Sequence, residues 1–167
     1  MRDFTLVQDI GASVDEHWRT FFDPAFERAI VAAMKFRHYE IVAHDDTATA
    51  IHRKTRAVPR LDAAATVARF FGSSFGYVED GSFDKQAQIW RARTIPDTFS
   101  DRMHCDMVME LAPAETASTS RRTLRFHIEA RVRGIGGMVE SAFEKNLRTG
   151  WRDSAAFIND WLRRPPS

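Results

Sequence analysis

A single cysteine, Cys105, stands in a chain of 167 residues, so no internal disulfide can staple the fold. That usage suits a reducing compartment, and the expected setting is the cytoplasm. No apolar run approaches the roughly 18 residues of a membrane span, so no transmembrane helix is expected. The opening MRDFTLVQDI runs straight into alternation and lacks the apolar heart of a signal peptide. Neither charge sign predominates: 24 Lys and Arg against 23 Asp and Glu leave a net +1. This removes the electrostatic argument for nucleic acid, which needs a basic excess on one face. The six histidines (His17, His38, His44, His52, His104 and His127) form no HxxxH or HxH pair, so no metal site is expected. Gly-x-Ser-x-Gly is absent, and FGSSFG at 71–76 is not a nucleophile elbow. GIGG at 134–137 lacks the rest of a phosphate loop and reads as a strand-to-helix turn. No cofactor is expected.

What is present suffices for a core. Hydrophobic residues make up 44% of the chain, enough to set it among folded rather than disordered proteins. About 70% of the surface of a chain this long is buried on folding, which leaves room even for a core with a hole in it. Residues 1–167 are read as one domain.

Alternation predicts a strand over 4–10, ended by Gly11. Ser13 followed by Glu16 is a capping box, and Val14, Trp18, Phe21 and Phe22 carry a short amphipathic helix after it. Asp23-Pro24 starts a second helix with Phe26, Ile30, Ala33 and Met34 on its apolar stripe. Strands are predicted at 38–45 and 47–58, the second stopped by Pro59. The Ala-rich stretch 61–71 reads as a short helix or lid-like loop. A strand at 75–79 is followed by a turn at Asp80-Gly81, and another strand at 86–95 ends at Pro96. Strands at 103–111 and 124–132 flank the small polar loop APAETASTSR, and a helix fills 138–162.

Parity sets the facing of these strands. Met103, Cys105, Met107, Met109 and Leu111 share one face, with His104, Asp106, Val108 and Glu110 opposite. In the next strand Leu124, Phe126, Ile128, Ala130 and Val132 oppose Arg125, His127, Glu129 and Arg131. Putting both apolar faces on one side requires paired residue numbers to sum to an odd number, which brings Glu110 near Arg125 outside. It also places His104 and His127 outside and makes Cys105 a buried, inert thiol. In 86–95, inward arginines at 91 and 93 would each need a partner, so Trp90 is turned inward and Gln86, Gln88, Ala92 and Thr94 follow it; the alternative is a bulge that lets both faces contribute. His52 shares a face with Ala48 and Ala50 and is a candidate to point inward. The last helix carries the stripe Val139, Ala142, Phe143, Leu147, Trp151, Ala155, Ile158 and Leu162. Glu140, Glu144, Lys145, Arg148 and Arg152 fall off it and read as a solvated face.

One strand, two short helices, six strands and a long helix is an α+β order. That order resembles the helix-grip fold of the START-like superfamily, with its polyketide cyclase-like members: a curved antiparallel sheet of about seven strands around a long C-terminal helix. FTLVQDIGASVDEHWRTFFDPAF resembles the first strand and linker helices. YVEDGSFDKQAQIW and VRGIGGMVESAFEKNLRTGW through FINDWL resemble bacterial members of unassigned function. The resemblance implies a cavity between sheet and helix that takes hydrophobic ligands. Its wall would be Met103, Met107, Met109, Phe126, Ile128 and Trp90, with Met138, Phe143, Leu147 and Trp151 from the helix; methionine adapts to irregular ligands. Tyr77, Gln88, Thr94 or His52 would orient a polar head, and 61–75 with GIGG would form the lid. The expected function is binding, with or without transport, of a lipid or other hydrophobic small molecule by a soluble, non-enzymatic protein, with room for transient membrane contact. Two alternatives stay open: a cyclase, dehydratase or aromatase using the same cavity, for which no convincing inward acid–base pair is visible, and an interaction module with a filled core. Oligomeric state is not readable.

Overall fold

Ser13 opens the first helix as its motif predicts: its hydroxyl accepts the Glu16 amide at 3.3 Å. Asp23 caps the second in the same way, taking the Ala25 amide at 2.8 Å, with Pro24 in the first turn where no amide is needed. The structure, a computed structural model, describes residues 1–59 and 75–164. Its elements are β1 (Arg2–Ile10), α1 (Val14–Phe21), α2 (Pro24–Ala33), β2 (His38–Asp46), β3 (Ala50–Val58), β4 (Tyr77–Asp84), β5 (Ile89–Pro96), β6 (Met103–Pro113), β7 (Ser120–Ala130) and α3 (Gly136–Leu162).

The seven strands form one antiparallel sheet in the order β1-β7-β6-β5-β4-β3-β2. Strands adjacent in sequence are neighbours except β1, which closes against β7. The 27-residue α3 packs on β1, β7 and α2. The odd-sum register holds: Met107 pairs with Phe126, and Arg125 reaches Glu110 at 2.7 Å on the outer face. One buried cluster joins Phe4, Trp18, Trp90, the β6 methionines and Phe143 between sheet and helices. A second, smaller one, built on Ile10, Ala12, Phe26 and Ile158, locks α2 to the far half of α3.

Three boundaries differ from expectation, each for a physical reason. There is no turn at Asp80-Gly81; β4 runs through it to Asp84. Gly81 is there for clearance, since a Cβ would stand 1.9 Å from Trp90 Cζ2, across β5. The turn comes later, where the Asp84 carboxylate accepts the amides of Gln86 and Ala87 and Gln88 takes φ +54°. β5 therefore begins at Ile89, not 86. β7 begins at Ser120 rather than 124, which carries Ser120 and Arg122 onto the inward face. Residues 61–71, read as a helix or lid, lie outside the described residues.

Candidate functional site

The register converts single strands into rows that cross the inward face. One row reads Ile51, Phe83, Trp90, Met109, Leu124, Leu6. The next is Arg53, Gly81, Ala92, Met107, Phe126, Phe4. The third, Thr55, Glu79, Thr94, Cys105, Ile128, breaks the apolar pattern at β3 to β5. Glu79 thus stands on the interior wall between two threonines, and Tyr77 precedes it by two residues on the same face.

Burial pushes the Glu79 carboxyl above the ordinary carboxylate value, while the Arg53 charge opposes that rise. Burial likewise pushes the Tyr77 hydroxyl up, with the Glu79 charge acting in the same direction. Among the described residues, neither polar end has a hydrogen-bond partner. Both side chains are half-buried: enclosed deeply enough for burial to govern their titration, yet with accessible surface left.

The charges beside them are matched. Glu27, from α2, accepts the Tyr39 hydroxyl at 2.8 Å and Arg53 Nη1 at 3.2 Å. Burial, above all, raises the Tyr39 hydroxyl and holds its proton firmly. The Arg53 guanidinium also lies over the rings of Phe21 and Trp90, 5.1 and 5.2 Å from their centroids. Cys105, two strands from Glu79, is buried and its thiol is pushed up to about 12, first by burial, so it is no nucleophile.

A separate polar group lies toward the other end of the interior. Arg122, 1% exposed, donates Nε and Nη2 to Gln8 Oε1 at 2.9 and 2.6 Å and lies 5.1 Å from the Trp151 ring centroid. Gln8 is held in turn by donating to the Trp151 carbonyl. Burial lowers Arg122 to about 10. His17 is fully buried with both ring nitrogens unpartnered, and is pushed down to about 3 by burial and then by the Arg122 charge. The imidazole is therefore neutral.

Most of the expected wall is brought together. Trp90, Met103, Met107, Met109, Phe126, Ile128 and Phe143 are buried in one cluster, with Tyr77, Leu147 and Trp151 packed against it. Thr94 is half-buried beside Glu79. Two expected members are not there. Gln88 is exposed in the β4–β5 turn, where its amide donates to Asp15 at 3.3 Å. Met138 is 53% exposed on the first turn of α3, because that helix starts at Gly136 and turns residue 139 inward instead. His52 is exposed. Glu140, expected on the solvated face, is buried: its Oε1 accepts the Ala130 amide at 3.0 Å and the Met1 amino group at 2.6 Å. The expected lid, 61–75, lies outside the described residues except for Phe75, which is buried against Phe143.

Sequence reasoning missed Glu79, although the signal was available: any facing that turns Tyr77 inward also turns Glu79 inward. Arg53 and Glu27 carried no such signal, since their pairing joins β3 to α2. A surface crevice of about 360 Å³ between residues 9–11, the β6–β7 loop and the end of α3 lies apart from this wall.

Residues 5–162 match a family described as protein of unknown function (DUF2505). The chain belongs to that family. No curated protein matches it. Solved structures give the fold a context. A START superfamily protein from Mycobacterium smegmatis aligns at TM-score 0.61 and 10% identity, over 92% of this chain and 97% of that one. The Zhui aromatase/cyclase from Streptomyces sp. R1128 aligns at 0.69 and 11%, over 98% and 94%. Norcoclaurine synthase from Thalictrum flavum, solved in complex with dopamine and hydroxybenzaldehyde, aligns at 0.67 and 12%, over 99% and 89%. At these identities the likeness is one of fold, and this DUF2505 member has the START-like helix-grip fold. Among the described residues, no helix is long and apolar enough to cross a membrane.

Proposed function

We propose that this protein binds a hydrophobic small molecule between the inward sheet face and α3, with the ligand's polar end at Tyr77 and Glu79. The observation that carries this reading is Glu79. Among the described residues this half-buried carboxyl has no hydrogen-bond partner in mid-sheet, an arrangement a filled core disfavours, since shutting a carboxyl from water without hydrogen bonds costs several kcal/mol. A soft wall of Met103, Cys105 and Met107 lies in the neighbouring strand positions, suited to ligands of irregular shape. Apolar burial would supply the affinity, at about 25 cal/mol per Å², and the two polar groups the orientation.

The test is Met107→Trp. In a pocket with room, stability changes little while uptake of an environment-sensitive dye is lost. In a solid core the added ring costs about 1–3 kcal/mol or more, and the wild-type protein binds no dye. The second outcome would favour an interaction module over a binder.

The same carboxyl supports a second reading, an acid–base enzyme. A general acid needs a raised value and reach to the substrate, and Glu79 meets the first condition. Glu79→Gln distinguishes the two, since a substrate that still binds and is no longer turned over identifies an enzyme.

A further inference from the structure

Two guanidinium groups are enclosed on the inward face, and they are treated differently. Arg53 is paired with the Glu27 carboxylate at 3.2 Å. Arg122, 1% exposed, gives Nε and Nη2 to Gln8 Oε1 and lies over the Trp151 ring, both of them neutral. Among the described residues its Nη1 has no hydrogen-bond partner and no acid pairs with it. A guanidinium stays charged in a folded protein, so Arg122 is a buried cation whose counter-charge those residues do not supply. The acid of 60–74, Asp62, follows Pro59 by three residues and so reaches about 11 Å from it. β3 and β4 carry that stretch at their Ala57–Tyr77 end, eight residues or about 26 Å along the strands from the level of Arg122. Residues 165–167 contain no acidic side chain. Two further polar groups near Arg122 are also unmatched. His17 on α1 is fully enclosed, neither ring nitrogen has a partner, and the ring is close enough for the Arg122 charge to act on it. Ser120, two residues from Arg122 on the inward face of β7, has a buried hydroxyl without a partner. Buried polar atoms in folded proteins are satisfied almost without exception.

We propose that Arg122 and His17 hold a small anion inside the fold, with the Ser120 hydroxyl beside it. The anion accepts from Arg122 Nη1 and from the one N–H of a neutral imidazole, and it supplies the charge that Gln8 lacks. Water in the same place would satisfy the bonds and leave the charge unmatched, and a cation would be repelled. Enclosure of all three groups restricts the anion to a halide or a single carboxylate. These two sources share one chemistry: a free ion, or the acid end of a molecule held in the interior. The site is separate from Tyr77 and Glu79, which lie toward the other end of the inward face.

Thermal melts at pH 7.5 and fixed ionic strength read the site, with sodium gluconate, a bulky anion, replaced stepwise by bromide, chloride or butyrate. Bromide and chloride are expected to raise the wild-type melting temperature along a saturating curve, by about 3 °C at a tenfold excess over the dissociation constant. In Arg122→Met the response should vanish. In His17→Phe, which keeps a ring but has no N–H, half-saturation should move to about tenfold higher concentration. A response to butyrate alone, also lost in Arg122→Met, keeps the anion site and identifies its source as the acid end of a larger molecule. A wild type that melts alike in every salt overturns the inference. So does a response that Arg122→Met retains, since it would come from surface charges. If Arg122→Met does not fold, wild-type crystals grown in the salt that acts decide the matter: density for the anion within hydrogen-bond distance of Arg122 Nη1 supports the site, and its absence there overturns it.

Discussion

Glu79, half-buried, and His17, fully buried, are titratable groups that pull stability in opposite directions with pH. Burial raises Glu79 above 4.5, so the folded state holds its proton more tightly than the unfolded chain. Its contribution is full below 4.5 and is lost as pH rises through the folded value. Glu79→Gln is therefore expected to raise the melting temperature at pH 8, with the gain vanishing near pH 4. No gain at pH 8 would mean that the carboxyl is better solvated or paired than its position indicates. His17 works the other way. Its value falls from 6.5 to about 3, so the stability of the neutral ring is present above 6.5 and is lost as pH falls below it. The slope is about 1.4 kcal/mol per pH unit. His17→Phe keeps the ring against Phe21 and Trp18 and has no proton to gain. Between pH 7 and 5 the variant should lose less stability than the wild type; parallel unfolding curves would show that His17 is protonated in the fold.

Gly81 and Trp90 set the packing of β4 on β5. Gly81 reads locally as a turn residue, but it serves as a gap that the indole fills. Gly81→Ala places a methyl inside that ring, so the strands must part or the tryptophan must leave its position at 1% exposure. The expected cost is about 1–3 kcal/mol or more by chemical denaturation. Adding Trp90→Phe should cost less than the sum of the two single changes, because the smaller ring frees the gap. Additive effects would mean that the two residues do not share this space. At the other helix-bearing edge, Glu140 shows why α3 starts where it does: its carboxylate accepts the Ala130 amide just as the chain leaves β7.

The whole molecule is tied together by the β1–β7 pairing and by α3, which spans β1, β7 and α2. Cys105 lies in the middle strands of that assembly at 2% exposure, with its thiol pushed up to about 12. A bulky thiol reagent should reach it only when the sheet opens. Its reaction rate should therefore follow global stability across a mild denaturant series. A rate independent of denaturant would reveal a local opening near β6 that bypasses unfolding.

Periodicity is a local property, and what rests on it was legible in the residues alone. The helix caps at Ser13 and Asp23, the inward turn of Trp90, the odd-sum register of β6 with β7 and the resemblance to a helix-grip protein all follow from spacing and element order. The rest depends on what comes to lie opposite. Gly81 is a clearance only because the Trp90 ring reaches over it from the diagonal position on β5, and Arg122 is interior only because β7 begins at Ser120 beside Gln8. Glu140 is buried because the end of β7 presents it an amide. Glu79 becomes the candidate site's key group for the same reason. Its neighbours in space, Arg53, Thr55 and Thr94, come from other strands, and the burial that raises its titration belongs to the assembled interior, not to the segment YVEDGSF.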